Sequence, residues 1–179
     1  KYKKMIKFVY QNKPLGTGDA VLKTKKYIKE NFFLMLLPDD LIVKKNCSKK
    51  MINIHKQKKC SVMASMKVNK NNANRWGIYA LSKNLDKNNF LISDVLEKPK
   101  INQAPSNNAV IGRYILNKKI FKLLSNQSKG KGGEIHITDA IRNMVKRGSF
   151  FVGHKFKGKY LDCGTLDGYI KSSLEISKV

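Results

Sequence analysis

The chain has 179 residues, with 37 Lys and Arg against 12 Asp and Glu, which gives a net charge of +25 when the histidines are neutral. Hydrophobic residues make up 41% of the chain, enough for a sizeable core, so the composition argues against a wholly disordered polypeptide. The longest apolar run is residues 32–37, far shorter than the roughly 20 residues of a membrane-spanning helix, so we expect no transmembrane segment and no membrane partner.

The spacing of apolar residues predicts strands and helices in succession. In chain order we expect a strand at 5–9, a helix at 19–29, a strand at 32–37, a helix at 46–59, strands at 61–68, 76–81, 90–96 and 110–116, helices at 118–125 and 138–146, strands at 150–156 and 159–161, and a helix at 166–176. The continuous apolar run 32–37 is typical of a strand buried on both faces of a parallel sheet. Because strands alternate with helices and extra strands follow, the pattern predicts one α/β domain over residues 1–179 with a mixed sheet.

The positive charge suggests a nucleic-acid partner, but the type and placement of the cations argue against one. Arg is the side chain that pairs with guanine and stacks on bases, and only four of the 37 basic residues are Arg. The lysines are scattered along the chain without a block of five or six. We therefore expect a solvated Lys surface and no nucleic-acid partner. A basic nucleic-acid-binding protein is kept as an alternative, which would show steep salt dependence of binding.

The cysteines and the first residues bear on the cellular compartment. Cys47, Cys60 and Cys163 are odd in number and far apart, which argues against a disulfide scaffold and for a reducing compartment. The first residues are basic but lack the apolar segment and cleavage site of a secretory signal. We expect a cytoplasmic protein.

Acidic residues follow two of the predicted strands. Asp39 and Asp40 come directly after the apolar run, and Asp162 lies between the last predicted strand and the last helix. In open α/β sheets the ligand site lies at the carboxyl ends of central strands, and carboxylate oxygens there would suit Mg²⁺. The other interpretations are a simple turn with a capping Asp at 38–40 and a helix N-cap at Asp162.

Glu97 and Lys98 are adjacent opposite charges at the end of the predicted strand 90–96. Consecutive strand residues point to opposite faces, so we do not expect a simple ion pair. A Glu that accepts from sugar hydroxyls and a Lys that holds a phosphate would suit a sugar phosphate. An ordinary charged turn is the other interpretation.

The segment QNKPLGTGD, residues 11–19, contains glycines that allow a ligand to approach the backbone closely. Gln11 can both donate and accept hydrogen bonds, which pairing with a nucleobase edge requires. The segment does not match the GxxxxGK[ST] loop, so it carries no Walker-type prediction. A hairpin-like turn is the other interpretation.

The order of these motifs resembles that of the bacterial UTP–glucose-1-phosphate uridylyltransferase family. The matching segments are, in chain order, QxxPLGxGDAV, FxxxLLPDDLI, RWGI, LEKPKxxxAPSNxAVIGRYIL, GKGGEIHITDAI and GKYLDCGTLDGY. They run from about Phe8 to Ile176, which is nearly the whole chain. Each motif is weak alone, and it is their order that is specific.

The resemblance implies a fold, a reaction and a set of site residues. The fold is a three-layer, Rossmann-like nucleotidyltransferase fold with a mixed, mostly parallel central sheet. The reaction forms UDP-glucose and pyrophosphate from UTP and glucose 1-phosphate, with Mg²⁺ as cofactor and a homo-oligomer as the expected assembly. On the nucleotide side, the implied roles are uracil contact for Gln11 and Gly16 and Mg²⁺ binding for Asp39 and Asp162. On the sugar side, they are glucose contact for the Gly77 backbone, sugar-hydroxyl binding for Glu97 and phosphate binding for Lys98. The implied catalytic residues are Asp39, Lys98 and Asp162.

Three positions depart from the family pattern. Asp19 stands where the family commonly has His, near the nucleotide. Trp76 replaces the usual Tyr of an RYG motif, and Leu166 stands where Lys is common. These departures bear on the fine geometry of the site and on its phosphate affinity.

A further departure is an absent loop. The family opens with a GxGTRxxPxTK loop whose backbone N–H groups, Arg and Lys cradle the UTP phosphates, and these 179 residues contain no such stretch. The chain is therefore similar to an N-terminally truncated member whose first βα unit is missing, and we expect this polypeptide alone to have little or no transferase activity. A noncatalytic sugar-nucleotide-binding relic of the same fold is the alternative. The resemblance does not separate glucose from galactose 1-phosphate.

Overall fold

The structure, a computed structural model, describes residues 5–178. Its helices are α1 (Thr17–Lys23), α2 (Cys47–Lys58), α3 (Ile120–Ser125), α4 (Ile137–Lys146) and α5 (Leu166–Ile176). Its strands are β1 (Phe32–Leu36), β2 (Asp40–Val43), β3 (Ser61–Lys67), β4 (Ile78–Asn84), β5 (Asn89–Leu96), β6 (Asn108–Asn117), β7 (Phe151–Lys155) and β8 (Lys159–Asp162).

The central sheet contains six strands in the order β1-β6-β3-β7-β5-β4. Within residues 5–178, β3 and β7 pair in parallel and the other neighbours in this order pair antiparallel. The predicted mixed sheet is confirmed, whereas the expectation of a mostly parallel one is wrong for this part of the chain. Apolar patterning shows that a strand is buried but does not show its direction, and the short β4–β5 hairpin connection permits only antiparallel pairing.

Helices cover both faces of the central sheet, so the molecule has the expected three layers. Successive residues of β3 show the two faces. Met63 packs in the cluster that includes side chains of α1, α3 and α4, while Val62 and Ala64 pack in the cluster that includes side chains of α2. All three residues are fully buried. The α/β class predicted from the sequence is confirmed.

The apolar run 32–37 forms β1, but its surroundings differ from the expectation. Among the described strands, β1 pairs only with β6, antiparallel, at the edge of the sheet. Leu34 and Leu36 are 38% and 49% exposed, so the expectation of a parallel strand buried on both faces is wrong. Phe33 packs inward and stacks on Phe121, with ring centroids 5.3 Å apart.

The predicted strand at residues 5–9 does not form. Residues 6–10 have no regular structure, and Phe8 and Tyr10 are 80% and 82% exposed. Alternating apolar residues are a weak signal where no neighbouring strand provides hydrogen bonds.

The helices follow local signals more closely. The Asn46 side chain accepts a hydrogen bond from the Lys49 N–H at 2.9 Å, so it caps α2 as predicted.

No helix within residues 5–178 is long and apolar enough to cross a bilayer.

A second, two-stranded sheet pairs β2 with β8, and β2 is not predicted from the sequence. The pairing is antiparallel and sets Asp40 opposite Asp162 and Leu41 opposite Leu161. This small sheet therefore joins the Pro38–Asp39–Asp40 turn to the Asp162 segment, although the two are far apart in the chain.

Candidate functional site

A cavity of about 590 Å³ is lined by residues of β2, β6 and β8 and by the segments that follow β5 and precede β4. The predicted site residues that line it are Asp39, Gly77, Glu97, Lys98 and Asp162. The structure thus brings together the predicted metal, sugar and phosphate residues.

The carboxylates of Asp39 and Asp162 converge on one part of this cavity. The Cys163 N–H donates to the carbonyl of Asp39 at 2.8 Å, which ties the two segments together. Asp39 Oδ2 and Asp162 Oδ1 lie 3.0 and 3.3 Å from the position that a Cβ on Gly164 would take. Because glycine has no Cβ, both carboxylates can occupy this close arrangement.

The two carboxylates fit the donor set that Mg²⁺ uses in proteins, which is one or two carboxylates completed by water and substrate phosphates. Within residues 5–178, no group of three or more His, Cys, Asp or Glu side chains could hold a metal. A cation between Asp39 and Asp162 would therefore take its remaining oxygen ligands from water and the substrate. Arg75 Nη2 lies 3.4 Å from Asp162 Oδ2, a partly exposed ion pair of low energy. The metal role of the two aspartates stays a prediction.

Asp40 has a structural task that separates it from its neighbour Asp39. Its Oδ2 accepts the Gly112 N–H at 2.6 Å, and its Oδ1 accepts the Tyr160 hydroxyl. Burial raises the pKa of the Asp40 carboxyl, and the hydrogen bonds from Tyr160 and Gly112 oppose that rise. No hydrogen bond from the described part of the chain ends on the Asp39 carboxylate. Of the two neighbours Asp39 and Asp40, it is therefore Asp39 whose carboxylate is open to a ligand.

The guanidinium of Arg113 holds the turn between β1 and β2. It donates to the carbonyls of Leu37 at 2.9 Å and Gly112 at 2.8 Å, and also to the carbonyl of Asp40. A planar cation that joins three backbone acceptors fixes the turn on β6.

The sequence patterns did not identify Tyr160 or Arg113. Tyr160 lies two residues before Asp162 in β8, so the period-two rule for strands would have placed both side chains on one face. Arg113 offers no local signal, because its carbonyl partners on Leu37 and Asp40 lie 76 and 73 residues away in the chain.

Glu97 and Lys98 both line the cavity because β5 ends at Leu96. Lys98 has a φ of 41°, in the left-handed region, which interrupts the alternation of a strand. Its N–H donates to the carbonyl of Trp76 at 3.1 Å. Glu97 Oε2 lies 3.4 Å from the position that a Cβ on Gly77 would take. The two residues therefore follow the end of the strand, where the alternation used to predict their directions no longer applies.

Gln11 and Gly16 lie outside the lining of the cavity and next to Thr17, which belongs to it. Gln11 Nε2 donates to the carbonyl of Gly16 at 3.1 Å and to Asp19 Oδ2 at 2.7 Å. The predicted nucleobase segment thus adjoins the cavity, and its role stays a prediction.

Comparisons with known proteins are consistent along the whole chain. The chain matches the family model described as nucleotidyl transferase over residues 1–179. It is 37% identical over 169 residues to a UTP–glucose-1-phosphate uridylyltransferase of Pseudomonas aeruginosa, which covers 93% of this chain and 60% of the relative. It is 34% identical over 175 residues to UTP–glucose-1-phosphate uridylyltransferase 2 of Streptococcus pyogenes, which covers 95% of this chain and 58% of the relative.

Solved structures give the same result for the fold. The chain superposes with a TM-score of 0.90 and 38% identity on a UDP-glucose pyrophosphorylase complexed with UDP-glucose, which covers 96% of this chain and 66% of that one. The chain spans about 60% of the length of the curated relatives that it matches.

Proposed function

The chain belongs to the nucleotidyl transferase family, and from this we propose that it is part of an enzyme that transfers a uridylyl group from UTP to glucose 1-phosphate, forming UDP-glucose and pyrophosphate. The two uridylyltransferases of Pseudomonas aeruginosa and Streptococcus pyogenes described above are 37% and 34% identical to this chain over nearly all of its residues. The observation that carries the proposal is that two convergent carboxylates line the same cavity as a Glu and a Lys.

The proposed reaction is a displacement at phosphorus. An oxygen of glucose 1-phosphate forms a bond to the α-phosphorus of UTP, and the bond from that phosphorus to the bridging oxygen of pyrophosphate breaks. Because both substrates are anions, catalysis depends on holding them in line and on neutralising phosphate charge.

The predicted site residues have distinct tasks in this proposal. Lys98 supplies a fixed positive charge for the phosphate of glucose 1-phosphate, and Glu97 accepts hydrogen bonds from the sugar hydroxyls. Asp39 and Asp162 hold Mg²⁺, which when bound supplies positive charge to the UTP phosphates. Gln11 and Gly16 contact uracil beside Thr17.

The proposal is tested by titrating the 179-residue polypeptide with nucleotide sugars in a calorimeter, with Mg²⁺ in excess. We expect UDP-glucose to bind at least about tenfold more tightly than ADP-glucose, because the larger purine does not match a contact built for uracil. Far-UV circular dichroism confirms that the polypeptide is folded. A folded polypeptide that binds neither compound, or binds both equally, contradicts the proposal.

A pyrophosphate-release assay on the same polypeptide addresses turnover. We expect release at the background rate, because the phosphate-binding GxGTRxxPxTK loop is absent from these residues and the backbone amides that it provides are a large part of the charge stabilisation. Turnover at an ordinary enzymatic rate, about 1 s⁻¹ or more, would show that other residues replace the loop.

The Glu97→Gln variant tests the sugar side of the site. We expect its affinity for glucose 1-phosphate to fall by about tenfold, because a charged acceptor of hydroxyl hydrogen bonds becomes neutral, while its affinity for UTP stays within about twofold. Calorimetric titration with each substrate measures both. Glu30→Gln is the matched control, since it makes the same change at an exposed position outside the cavity lining. Selective loss of UTP binding in Glu97→Gln would show that Glu97 belongs to the nucleotide side.

A further inference from the structure

The buried residue Asp19 contacts Gln11, the residue that we propose meets uracil. Asp19 lies in the first turn of α1 and is only 4% exposed. Its Oδ2 accepts the hydrogen bond from Gln11 Nε2 at 2.7 Å, and its Oδ1 lies 3.5 Å from the ammonium group of Lys23. Gln11 is therefore held by a carboxylate that is itself paired with a cation.

This contact determines which way the amide of Gln11 faces. A carboxylate offers hydrogen-bond acceptors only, so Asp19 can only accept. The carbonyl of Gly16 also only accepts, and it receives the same Nε2 at 3.1 Å. Both protons of the Gln11 amide are thus committed within the protein. Turning the amide over would place its oxygen against two acceptors and leave them unsatisfied.

The oxygen of the Gln11 amide is what remains for a ligand. No hydrogen bond from the described residues ends on Gln11 Oε1, and the neighbouring Thr17 lines the cavity. A pyrimidine that meets this oxygen with its N3 must carry a proton there. Uracil and thymine carry a proton on N3, whereas N3 of cytosine is an unprotonated acceptor.

We infer that Asp19 is a positioning residue that determines base specificity: by orienting Gln11 it selects a pyrimidine with an N3–H over cytosine. The inference rests on the proposed function, because it takes Gln11 to be the uracil contact. Cytosine is rejected because its N3 and the Gln11 oxygen are both acceptors and would face each other without a proton. A polar group of the site left unpaired in this way gives a binding site its strongest discrimination.

The test compares UDP with CDP on the wild-type chain and on Asp19→Asn by calorimetric titration with excess Mg²⁺. We expect the wild type to bind UDP at least about 30-fold more tightly than CDP. In Asp19→Asn the new amide can donate as well as accept, so Gln11 can turn over. We therefore expect the UDP-to-CDP affinity ratio to fall by about tenfold, through tighter binding of CDP, while the affinity for UDP changes by less than about threefold.

Asp167→Asn is the matched control, because Asp167 forms the same i,i+4 pair with a lysine, Lys171, at 2.7 Å on α5. We expect it to leave both affinities unchanged. An equal loss of UDP and CDP binding in Asp19→Asn would mean a purely structural role and would overturn the inference. A wild type that binds UDP and CDP equally overturns the inference and leaves the proposed function standing. A folded wild type that binds neither overturns both.

A second measurement uses only the wild type and so does not depend on how the variant folds. N3-methyluridine diphosphate cannot donate from N3, and we expect it to bind at least about tenfold more weakly than UDP. The matched control is 5-methyluridine diphosphate, which has the same added methyl group and keeps the N3–H; we expect its affinity to lie within about threefold of that of UDP. Equal affinities for UDP and N3-methyluridine diphosphate would overturn the inference.

Discussion

Replacing Gly153 with alanine is expected to lower the free energy of unfolding by about 3 kcal/mol or more. Gly153 lies in β7, where it is paired with Met63 on one side and Phe90 on the other. A Cβ at this position would lie 2.2 Å from each of two ring carbons of Phe90, far inside van der Waals contact. The ring or the strand would have to move.

Neither can move freely, because Phe90 is fully buried and fixed by its neighbours. Its ring makes an edge contact with Tyr79, with centroids 5.6 Å apart and an interplanar angle of 68°. Tyr79 is fixed in turn, since its hydroxyl donates to the carbonyl of Ala64 at 2.9 Å. An added methyl group therefore strains a packed core instead of displacing a flexible side chain.

Urea unfolding followed by circular dichroism measures the loss, and Phe90→Leu provides the control. Leucine lacks the ring carbons that the new methyl group would meet, so we expect Gly153→Ala to cost much less in the Phe90→Leu background than in the wild type. Additive effects of the two substitutions in a double-mutant cycle would show that the contact with Phe90 is not the cause.

We propose above that Asp39 and Asp162 bind Mg²⁺, and on that proposal Asp39→Asn and Asp162→Asn are each expected to reduce by at least about tenfold the gain in UDP-glucose affinity on adding the ion. A neutral amide attracts a divalent cation much less than a carboxylate does. Since both side chains face the same point beside Gly164, one substitution already breaks the pair, and the double variant should lose little more than either single variant. Titrations with UDP-glucose, with and without Mg²⁺, measure the gain, and Mn²⁺ binding followed by electron paramagnetic resonance reports on the ion directly.

Asp94→Asn is the matched control for the two aspartates. Asp94 accepts from Arg142 at 2.9 Å and does not line the cavity, so its replacement should leave the effect of Mg²⁺ intact. An unchanged Mg²⁺ dependence in both Asp39→Asn and Asp162→Asn would remove both residues from the proposed cation site.

The sequence predicts the parts of the fold that depend on neighbouring residues. The helix expected at 46–59 is observed as Cys47–Lys58, because its cap and its apolar spacing are encoded within a few residues. The strand expected at 61–68 is observed as Ser61–Lys67 for the same reason. The direction of pairing is not encoded in this way, since it depends on which distant strand lies alongside, and the expectation of a mostly parallel sheet failed there.

The candidate site shows the same division between local and distant information. The order of motifs pointed to Asp39 and Asp162, but only the β2–β8 pairing shows that they converge. The simpler interpretation of Asp162 as a helix cap is wrong, because Thr165 caps α5 and accepts from the Gly168 N–H at 3.1 Å. The turn-forming role of Asp40 depends on a hydrogen bond from Tyr160, 120 residues away in the chain, which no local pattern could reveal.

The β2–β8 pairing also sets an order of events during protein synthesis. The strand that carries Asp40 leaves the ribosome long before the one that carries Asp162, because β8 is the last strand of the chain described here. All six strands of the central sheet, β7 included, precede β8 in the chain, so that sheet can fold while the acidic pair is still incomplete. The carboxylates meet only when the final strand docks, so a prematurely terminated product retains much of the core and lacks the place where the two acids face each other.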